Sequence, residues 1–369
     1  MDFLVETNDT SPCSFEDEIR ARGSRIFTYP HTLNFGRYDR QIKQVLRDYG
    51  PYDIVHSHDN SIGRVIRSAY EAGVPVRIAH SHTDLFAVQT LFKTQASLQR
   101  RLAFQLLLSL KRRWVHRYAT LGFGCSQVAA ASLFGTSWKT DPRWHVLYCG
   151  IDLTPFEAHP DPIQVRAELG IPDDRFVIGH VGRFSKEKNH KFLLNIFAEV
   201  VQRHPKTHLL LIGEGLLKPV IEQQVAQMGL NHHVTFAGLR SDVPRLMKGA
   251  MDVFLFPSLF EGLGLVLIEA QAAGLPCLFS DLIPADADVV PPLIHRVSLS
   301  KSPSEWADVL LQLQNAVPAV SPAEALARVS NSSHNFEQTL QQLELFYRTH
   351  YAQTVLKHAN QPSLLLRTG

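Results

Sequence analysis

The sequence predicts an α/β protein of two doubly wound domains, each built on a parallel sheet. Its 369 residues exceed what a single hydrophobic core usually holds. Short apolar runs alternate along the chain with longer segments that end at glycine or proline, which is the pattern of βαβ units. Most of these runs lack polar alternation, as expected for strands that helices cover on both faces.

The predicted strands fall into two sets, separated by residues 149–162. They are residues 3–6, 53–58, 76–82, 176–182, 208–213, 233–238 and 252–258. The separating segment, CGIDLTPFEAHPDP, is rich in Pro, Gly and Asp, so we expect an interdomain linker there. The predicted helices of the second half span residues 187–203, 216–228, 265–273 and 333–351, and Ser241 caps one more. The predicted units are a domain over 1–150, a domain over 151–330, and, over 331–369, a helix packing back across the domains and a tail.

Composition narrows the class of protein. With 45% hydrophobic and 20% charged residues the chain is globular, and a formal charge of +2 predicts no nucleic-acid partner. Four cysteines without a CxxC pair indicate reduced thiols and a cytoplasmic protein. The N-terminus does not read as a signal peptide and no run of about 18 apolar residues occurs in the sequence, so we expect neither export nor a membrane span.

Three glycine-containing loops follow predicted strands of the second domain. They are GRFSKEKN (182–189), GEG (213–215) and FEGLG (260–264). In doubly wound sheets, ligands bind outside the carboxyl ends of the strands, where helix N-termini offer free N–H groups. Arg183 and Lys188 lie where a guanidinium and an ammonium could neutralise a diphosphate, and a solvated helix cap is the alternative. Because neither GHVG nor GEG has the spacing of a dinucleotide fingerprint or a Walker loop, NAD and ATP sites are disfavoured.

Two acids, Glu261 and Glu269, lie eight positions apart in a largely apolar segment. A diphosphate bound at the amides of residues 262–265 would lie between them. Because a carboxylate repels phosphate and accepts hydrogen bonds from hydroxyls, acids at both ends of a diphosphate indicate a nucleotide sugar. The alternative is that both acids only favour the N-terminal half of the helix electrostatically.

The motifs GRFSKEKN, LLLIGEG, VTFAGLRSDV and FPSLFEGLGLVLIEAQAAGLPCLFSD resemble those of the retaining glycosyltransferases of the GT-B fold. The resemblance is to family four, and especially to bacterial exopolysaccharide-type enzymes with an E-x7-E motif. It implies two Rossmann-like domains facing a cleft, with Glu261 on donor-sugar hydroxyls, Glu269 on the ribose, and Arg183 and Lys188 on the diphosphate. It also implies that the remaining donor-site residues are Gly182, Gly262, Leu263, Gly264 and Leu265, with the base near Leu239 and Arg240.

The function implied is transfer of a sugar from a nucleoside diphosphate sugar to a saccharide or lipid-linked saccharide, with retention of anomeric configuration. Exopolysaccharide or cell-surface glycan synthesis is the expected pathway. We expect Arg183, Lys188 and the helix-end amides to stabilise the leaving diphosphate, without a metal ion or other cofactor. The resemblance implies a front-face route in which the leaving phosphate helps take the acceptor proton, so Glu261 is not assigned as a nucleophile. The alternative is a nucleotide-sugar-binding protein without turnover.

Histidines mark two predicted strand ends of the first domain, in HSHD (56–59) and HSHT (80–83). Alternate residues of a strand point to the same face, so four imidazoles could converge on a metal ion, with Asp59 and Asp84 nearby. A metal-dependent hydrolase is therefore a rival interpretation. In the resembling enzymes a strand-end histidine faces the donor sugar, which assigns that position to His82. A histidine that is merely satisfied at a strand end is the alternative.

A basic stretch lies between the two halves of the first domain. No acidic residue occurs from 85 to 140, and residues 93–118 combine leucines with lysines and arginines. This pattern predicts an amphipathic helix or helix pair that attracts an anionic membrane surface or a lipid diphosphate. We expect peripheral association with the inner face of a membrane, and a solvated face above a buried apolar stripe is the alternative.

The front of the first domain departs from the family pattern. The resembling enzymes begin with a strand, a glycine-rich loop such as GGAE and a helix, ahead of a strand like DFLVET, which here follows Met1. Because that first strand is central in the usual order 3-2-1-4-5-6, we expect a gap between its neighbours. We also expect lower stability of this domain and impaired acceptor binding, with the second domain unaffected.

Overall fold

The structure is a computed structural model that describes residues 1–7, 15–30, 35–58, 61–95, 97–317 and 319–359. In the first domain the strands are β1 Phe3–Thr7, β2 Ile26–Pro30, β3 Ile54–Ser57, β4 Val76–Ser81, β5 Leu121–Gly124 and β6 Trp144–Val146. The helices are α1 Glu16–Ala21, α2 Phe35–Asp48, α3 Ile62–Glu71, α4 Leu85–Gln95, α5 Leu98–Tyr118 and α6 Gln127–Phe134. Strands β3 to β6 form a parallel sheet in chain order, and β1 and β2 form a separate parallel pair.

The separation of these two sheets is the gap that the sequence predicts. Within the part of the chain that the structure describes, no pairing joins β1 to β3. The described side chains of β1 and β2 are half-buried or exposed, whereas β4 and β5 are almost entirely buried. Helices that cover both faces of β4 and β5 account for this difference.

The second domain has a six-stranded parallel sheet. Its strands are β7 Phe176–Val181, β8 Thr207–Ile212, β9 Val234–Gly238, β10 Val253–Phe256, β11 Cys277–Ser280 and β12 Ile294–Val297. Its helices are α7 Pro162–Glu168, α8 His190–Arg203, α9 Lys218–Gln227, α10 Val243–Ala250, α11 Leu265–Ala272, α12 Pro303–Gln314 and α13 Pro322–Ser330. The order β12-β11-β10-β7-β8-β9 is that of a doubly wound sheet, so the topological switch point lies between β7 and β10.

Strand β8 explains why the apolar runs of this domain read as continuous. All six of its residues are buried. Leu210 and Ile212 belong to the core on one face of the sheet, whereas Leu209 and Leu211 belong to the core on the other. Each such side chain contributes about 1.5–3 kcal/mol by leaving water, so both faces of the strand stabilise the domain.

The C-terminal helix, α14 Phe336–Ala359, lies against the first domain. Its residues Leu343, Phe346 and Tyr347 pack on the core of the β3–β6 sheet. The chain thus crosses between domains twice, and the two crossings are adjacent: the Ile151 N–H donates to the His334 carbonyl at 2.8 Å, and the Phe336 N–H donates to the Ile151 carbonyl at 3.2 Å. Residues 360–369, where the predicted tail falls, lie outside the described residues.

Four predicted helix starts differ from the structure. The helices predicted from residues 216 and 333 begin at Lys218 and Phe336, and the other two starts differ for local reasons. The helix predicted from residue 187 begins at His190, because Lys186–Lys188 form a 3-10 turn and Asn189 adopts a left-handed conformation with φ 55°. The residue at the N-cap of α10 is Asp242 and not Ser241, and the Asp242 carboxylate is held by Arg240. The short strands β2, β5, β6, β11 and β12 were not predicted.

Candidate active site

A cavity of about 580 Å³ lies outside the carboxyl ends of β7 and β10, at the switch point of the second sheet. His82, Cys125 and Cys149 of the first domain line one side. The other side belongs to the second domain: Val181, Gly182, Arg183, Lys188, Ser241, Val243, Pro244, Glu261, Gly262, Leu263, Gly264, Leu265, Val266 and Glu269. The structure therefore brings together all the site residues predicted from sequence except Arg240.

The loop from β10 into α11 forms the floor of the cavity. Gly264 has a φ of 91°, a left-handed conformation that favours glycine, and α11 begins directly after it. The first N–H groups of a helix have no acceptor within the helix, so those of Leu265 and Val266 face a site lined by cations. A dipole with this direction favours a bound anion.

Gly262 fixes how closely the two domains approach. A Cβ atom built on Gly262 would lie only 1.9 Å from the carbonyl oxygen of His82, so no other residue fits without a backbone shift. The Ser126 hydroxyl, which also caps α6, donates a hydrogen bond to the Gly262 carbonyl. The loop from β10 into α11 of the second domain is therefore held directly against the end of β4 in the first.

Lys188 and Glu261, which were assigned to opposite parts of a ligand, are partners of each other. The Lys188 Nζ lies 2.7 Å from Glu261 Oε1, and the two side chains are 15% and 12% exposed. The ammonium also lies 4.7 Å from the centre of the Phe256 ring, a cation–π contact. Each of the two charges thus compensates the other, so a ligand that binds either side chain would compete with this ion pair.

Arg183 and Glu269, by contrast, have no side-chain hydrogen bond or ion pair to any residue that the structure describes. Arg183 is exposed, whereas Glu269 is half-buried. Burial raises the pKa of Glu269, because no neighbour compensates its charge. A cation and an acid that both lack partners therefore face the same cavity.

Arg240 does not line the cavity, contrary to its assignment as a substrate-binding residue. Its guanidinium forms hydrogen bonds of 2.7 and 2.9 Å to the Asp242 carboxylate, and Leu239 beside it is 82% exposed. The nearby cavity wall is formed instead by Ser241, Val243 and Pro244. The charge of Arg240 is therefore compensated within its own loop, by Asp242.

The strand-end histidines form a hydrogen-bonded array. His58 Nδ1 lies 2.9 Å from His82 Nε2, and His56 Nε2 lies 3.1 Å from His80 Nδ1. The other nitrogen of His82, Nδ1, lies 3.6 Å from the Cys149 sulfur, and is the one directed at the cavity wall. Burial lowers the pKa of His56 and His80, so these two imidazoles are neutral at pH 7.

Of the two carboxylates predicted near a metal site, only Asp84 belongs to the described residues, and its oxygens bind elsewhere. The Asp84 carboxylate accepts hydrogen bonds from the Phe86 and Ala87 N–H groups at 2.8 and 3.2 Å, so it caps the start of α4. Asp59 lies outside the described residues.

Several residues of the site and its interdomain wall were not predicted. The Cys149 thiol has a lowered pKa because it hydrogen-bonds with Cys125 and with His82. Asp286 accepts hydrogen bonds from the Tyr148 hydroxyl at 2.8 Å and from the Gln127 N–H at 3.2 Å. Asp286 lies 138 residues from Tyr148 and 159 from Gln127, and Cys149 lies 67 residues from His82, so local sequence does not reveal these contacts. The only local signal was that Cys125 and Cys149 follow apolar runs at strand ends.

Comparison with known proteins gives two family matches. The family described as "Glycosyl transferases group 1" matches residues 163–315, and the family described as "Glycosyltransferase Family 4" matches residues 4–155. EpsF of Bacillus subtilis (strain 168), a glycosyltransferase by name, is 39% identical over 313 residues, 84% of this chain and 78% of EpsF. The UDP-Gal:alpha-D-GlcNAc-diphosphoundecaprenol alpha-1,3-galactosyltransferase of Escherichia coli is 28% identical over 63% of this chain and 58% of its own length.

Solved structures share the fold. Anabaena Alr3699/HepE in complex with UDP and glucose has a TM-score of 0.75 at 20% identity and covers 94% of this chain and 99% of its own. WaaG, a glycosyltransferase involved in lipopolysaccharide biosynthesis, has a TM-score of 0.68 at 18% identity, covering 93% and 98%. These likenesses confirm the predicted GT-B architecture.

Among the described residues, no helix combines the length and apolarity that crossing a bilayer requires.

Proposed function

The chain belongs to the glycosyltransferases of family four, and from that premise we propose that it transfers a hexose from a nucleoside diphosphate sugar to a saccharide or lipid-linked saccharide. We propose that the anomeric configuration is retained. The observation that carries the proposal is the cavity at the switch point, where an unpartnered cation, free helix N–H groups and an unpartnered acid face one another. A diphosphate flanked by hydroxyl groups matches all three.

In this proposal the donor lies along the start of α11. The diphosphate binds the Leu265 and Val266 amides and the Arg183 guanidinium, and the ribose hydroxyls donate to Glu269. HepE was solved with UDP, and the Escherichia coli relative is named for UDP-Gal, so uracil is the base we propose first. The wall of Ser241, Val243 and Pro244 is then the surface against which the base packs.

In this proposal, donor binding would replace the ion pair between Lys188 and Glu261 with contacts from each residue to the donor. Phosphate oxygens can take over Lys188 while sugar hydroxyls donate to Glu261, so that both charges stay compensated. Such an exchange makes the site selective for a ligand that carries both groups, because a diphosphate alone would leave Glu261 without its partner. Glu261 would then hold the sugar in place for attack.

We propose a front-face reaction in which the protein stabilises the leaving diphosphate and no metal ion takes part. Arg183, Lys188 and the α11 amides supply the positive charge that a divalent ion would otherwise provide at the leaving diphosphate. Glu261 is not a nucleophile in this scheme, because its carboxylate accepts hydrogen bonds from the sugar hydroxyls once phosphate oxygens have taken over Lys188. EDTA should leave the initial rate unchanged, whereas a rate lost in EDTA and restored by Mg²⁺ would contradict the scheme.

The acceptor that we propose is a lipid-linked saccharide of exopolysaccharide or surface-glycan synthesis. The name of the Escherichia coli relative includes a diphosphoundecaprenol acceptor, which supports a membrane-anchored substrate. The acceptor would approach from the side of the first domain, where His82 and Cys149 line the cavity. His82 Nδ1 would hydrogen-bond to the sugar, because its contact with the Cys149 thiol is weak and can be replaced.

We also propose that α5, within the predicted segment 93–118, contacts an anionic membrane. Leu98, Leu102 and Leu106 are 68%, 61% and 62% exposed and, at four-residue spacing, share one helix face. At about 100° per residue, the exposed Arg113 and Arg117 continue the same face. Apolar and cationic side chains in one plane suit an interfacial helix. Residue 96 and the side chains of 91–95 fall outside the description.

Sedimentation with vesicles tests the membrane contact. Leu102→Ser/Leu106→Ser should weaken binding to anionic vesicles, and Leu345→Ser, which alters a 65% exposed leucine of α14, should not. Arg113→Gln/Arg117→Gln should abolish the preference for anionic over neutral vesicles. Equal binding of the intact protein to both vesicle types would contradict the proposal.

The central experiment is a screen of nucleotide sugars by thermal shift, followed by a transfer assay with the best binder and a polyprenyl-diphosphate saccharide. A donor at about 100 times its Kd should stabilise the protein by about 2.7 kcal/mol. Binding with transfer or donor hydrolysis supports the enzyme. Binding without either supports a nucleotide-sugar-binding protein, and no binding of any nucleotide sugar contradicts both.

A further inference from the structure

Three histidines beside the donor cavity have no role in the proposed transfer. His56 and His58 end β3, and His80 belongs to β4, which pairs with β3 in parallel. One ring nitrogen of each lies within 4.8 Å of those of the other two. We propose that His56, His58 and His80 form a binding site for a late first-row divalent ion such as Zn²⁺. The site adjoins the donor cavity through the contact of His58 with His82, and binding of the ion does not require the proposed transfer.

The spacing of two of these ligands already suits coordination. His56 Nε2 and His80 Nδ1 are 3.1 Å apart. In a tetrahedral zinc site with metal–nitrogen bonds of about 2.0–2.1 Å, two ligating nitrogens lie about 3.3–3.4 Å apart. Two neutral imidazoles at this separation share one proton between them, so an ion can replace that hydrogen bond with little movement of either ring.

A neighbour outside the array orients His56. The Tyr347 hydroxyl lies 2.6 Å from His56 Nδ1. If that nitrogen donates to the hydroxyl, the proton is fixed on Nδ1, and the lone pair of Nε2 points toward His80. Metal-binding histidines are typically held in this way by a partner on their second nitrogen. Tyr347 belongs to α14, so the C-terminal helix would complete the support of the site.

The array also has unused hydrogen-bonding capacity and a route for entry. His80 is only 5% exposed, and its Nε2 is buried with no hydrogen-bond partner in the described part of the chain. His58 is exposed, so an ion reaches the group from solvent and water can fill a fourth position. To coordinate, the His58 ring turns from its stacked position 4.0 Å from the His56 ring.

The ligand set predicts which ions bind. Imidazole nitrogens favour Zn²⁺, Cu²⁺, Ni²⁺ and Co²⁺, whereas Mg²⁺ and Ca²⁺ prefer oxygen ligands. The Asp84 carboxylate is engaged at the start of α4 and does not join the group. We therefore expect selectivity for late transition ions.

The experiment titrates the chelator-treated full-length chain with Co²⁺ and follows the visible absorption of the bound ion. We expect one equivalent with a tetrahedral Co²⁺ spectrum, displaced by one equivalent of Zn²⁺ and unaffected by excess Mg²⁺. His58→Asn should abolish the spectrum, and Tyr347→Phe should weaken binding by about 10- to 100-fold. His232→Asn, at an exposed histidine of the second domain, is the matched control and should change nothing.

Two results would overturn the inference. One is the absence of a stoichiometric tetrahedral spectrum with the unaltered protein. The other is an unchanged spectrum in both His58→Asn and His56→Asn, each shown by circular dichroism to be folded. Because the measurement needs neither donor nor acceptor, its outcome is separate from that of the transfer assay.

Discussion

Replacing Glu269 with glutamine removes a charge from a half-buried position while keeping the shape of the side chain. Because burial raises the pKa of Glu269, the folded protein binds the proton more tightly than the unfolded chain does. The stability that this group contributes is therefore fully present below its ordinary pKa of 4.5 and lost as pH rises through the folded-state pKa. We expect Glu269→Gln to raise the melting temperature of the unliganded protein at pH 7, and the gain to disappear near pH 4.

The same substitution should weaken donor binding. No described residue hydrogen-bonds to the Glu269 carboxylate, so the interaction that the substitution would remove is the proposed one with the ribose hydroxyls. A hydrogen bond to a charged group contributes about 1.5–3 kcal/mol, which corresponds to UDP binding about 10- to 150-fold more weakly. Stability and affinity thus change in opposite directions.

Thermal unfolding from pH 4 to 8 and calorimetric titration with UDP measure the two effects. Glu157→Gln, at an exposed acid, is the control and should alter neither. A lower melting temperature for Glu269→Gln would mean that the carboxylate has a stabilising partner. Unchanged UDP affinity would mean that Glu269 does not face the nucleotide, and either result refutes the reasoning.

Three further predictions follow from contacts in and around the site. Lys188→Ala should reduce transfer by about 10²- to 10³-fold, and it should lower the free energy of unfolding by about 1–3 kcal/mol because Glu261 loses its partner. Adding Glu261→Gln should restore the stability but not the transfer. A restored transfer rate in this double variant would contradict the assignment of Lys188 and Glu261. Gly262→Ala should weaken UDP binding and lower the stability against denaturant, because its Cβ would lie 1.9 Å from the His82 carbonyl oxygen. Wild-type values for both quantities would show that the two domains can separate at this contact without cost. Tyr148 has its pKa raised to about 12 by burial and by Asp286, so wild-type stability should fall between about pH 10 and 12 more steeply than that of Tyr148→Phe; parallel alkaline unfolding curves would exclude this contribution.

The second domain could be predicted from sequence because its signals are local. Strands β7, β8 and β10 are apolar runs that end at glycine or proline, and the loops after them carry the charged residues that converge on the cavity. Parallel strands bring their carboxyl ends to one edge, so loop position alone was enough to group Arg183, Lys188 and Glu261.

Contacts over long sequence separations could not be predicted. Lys188 and Glu261 are 73 residues apart, and their pairing depends on which loop side chains meet once the sheet is formed. Strand β5 reads LGFG and has little strand propensity; added Cβ atoms at Gly122 and Gly124 would lie 2.5 Å from the Phe134 ring and 2.3 Å from the Ala130 nitrogen. These glycines serve the close packing of α6, which only tertiary structure reveals.

The adjacent chain crossings at Ile151 and Asn335 constrain how the two lobes can move. Because backbone hydrogen bonds join the two crossings, we expect them to serve as the hinge of any motion between the domains. Motion about such a hinge is a rotation around one axis, because a sideways slide would shear the paired backbones. With one fluorophore on each domain, on the side of the cavity away from Ile151 and Asn335, a single energy-transfer distance should therefore describe the rotation.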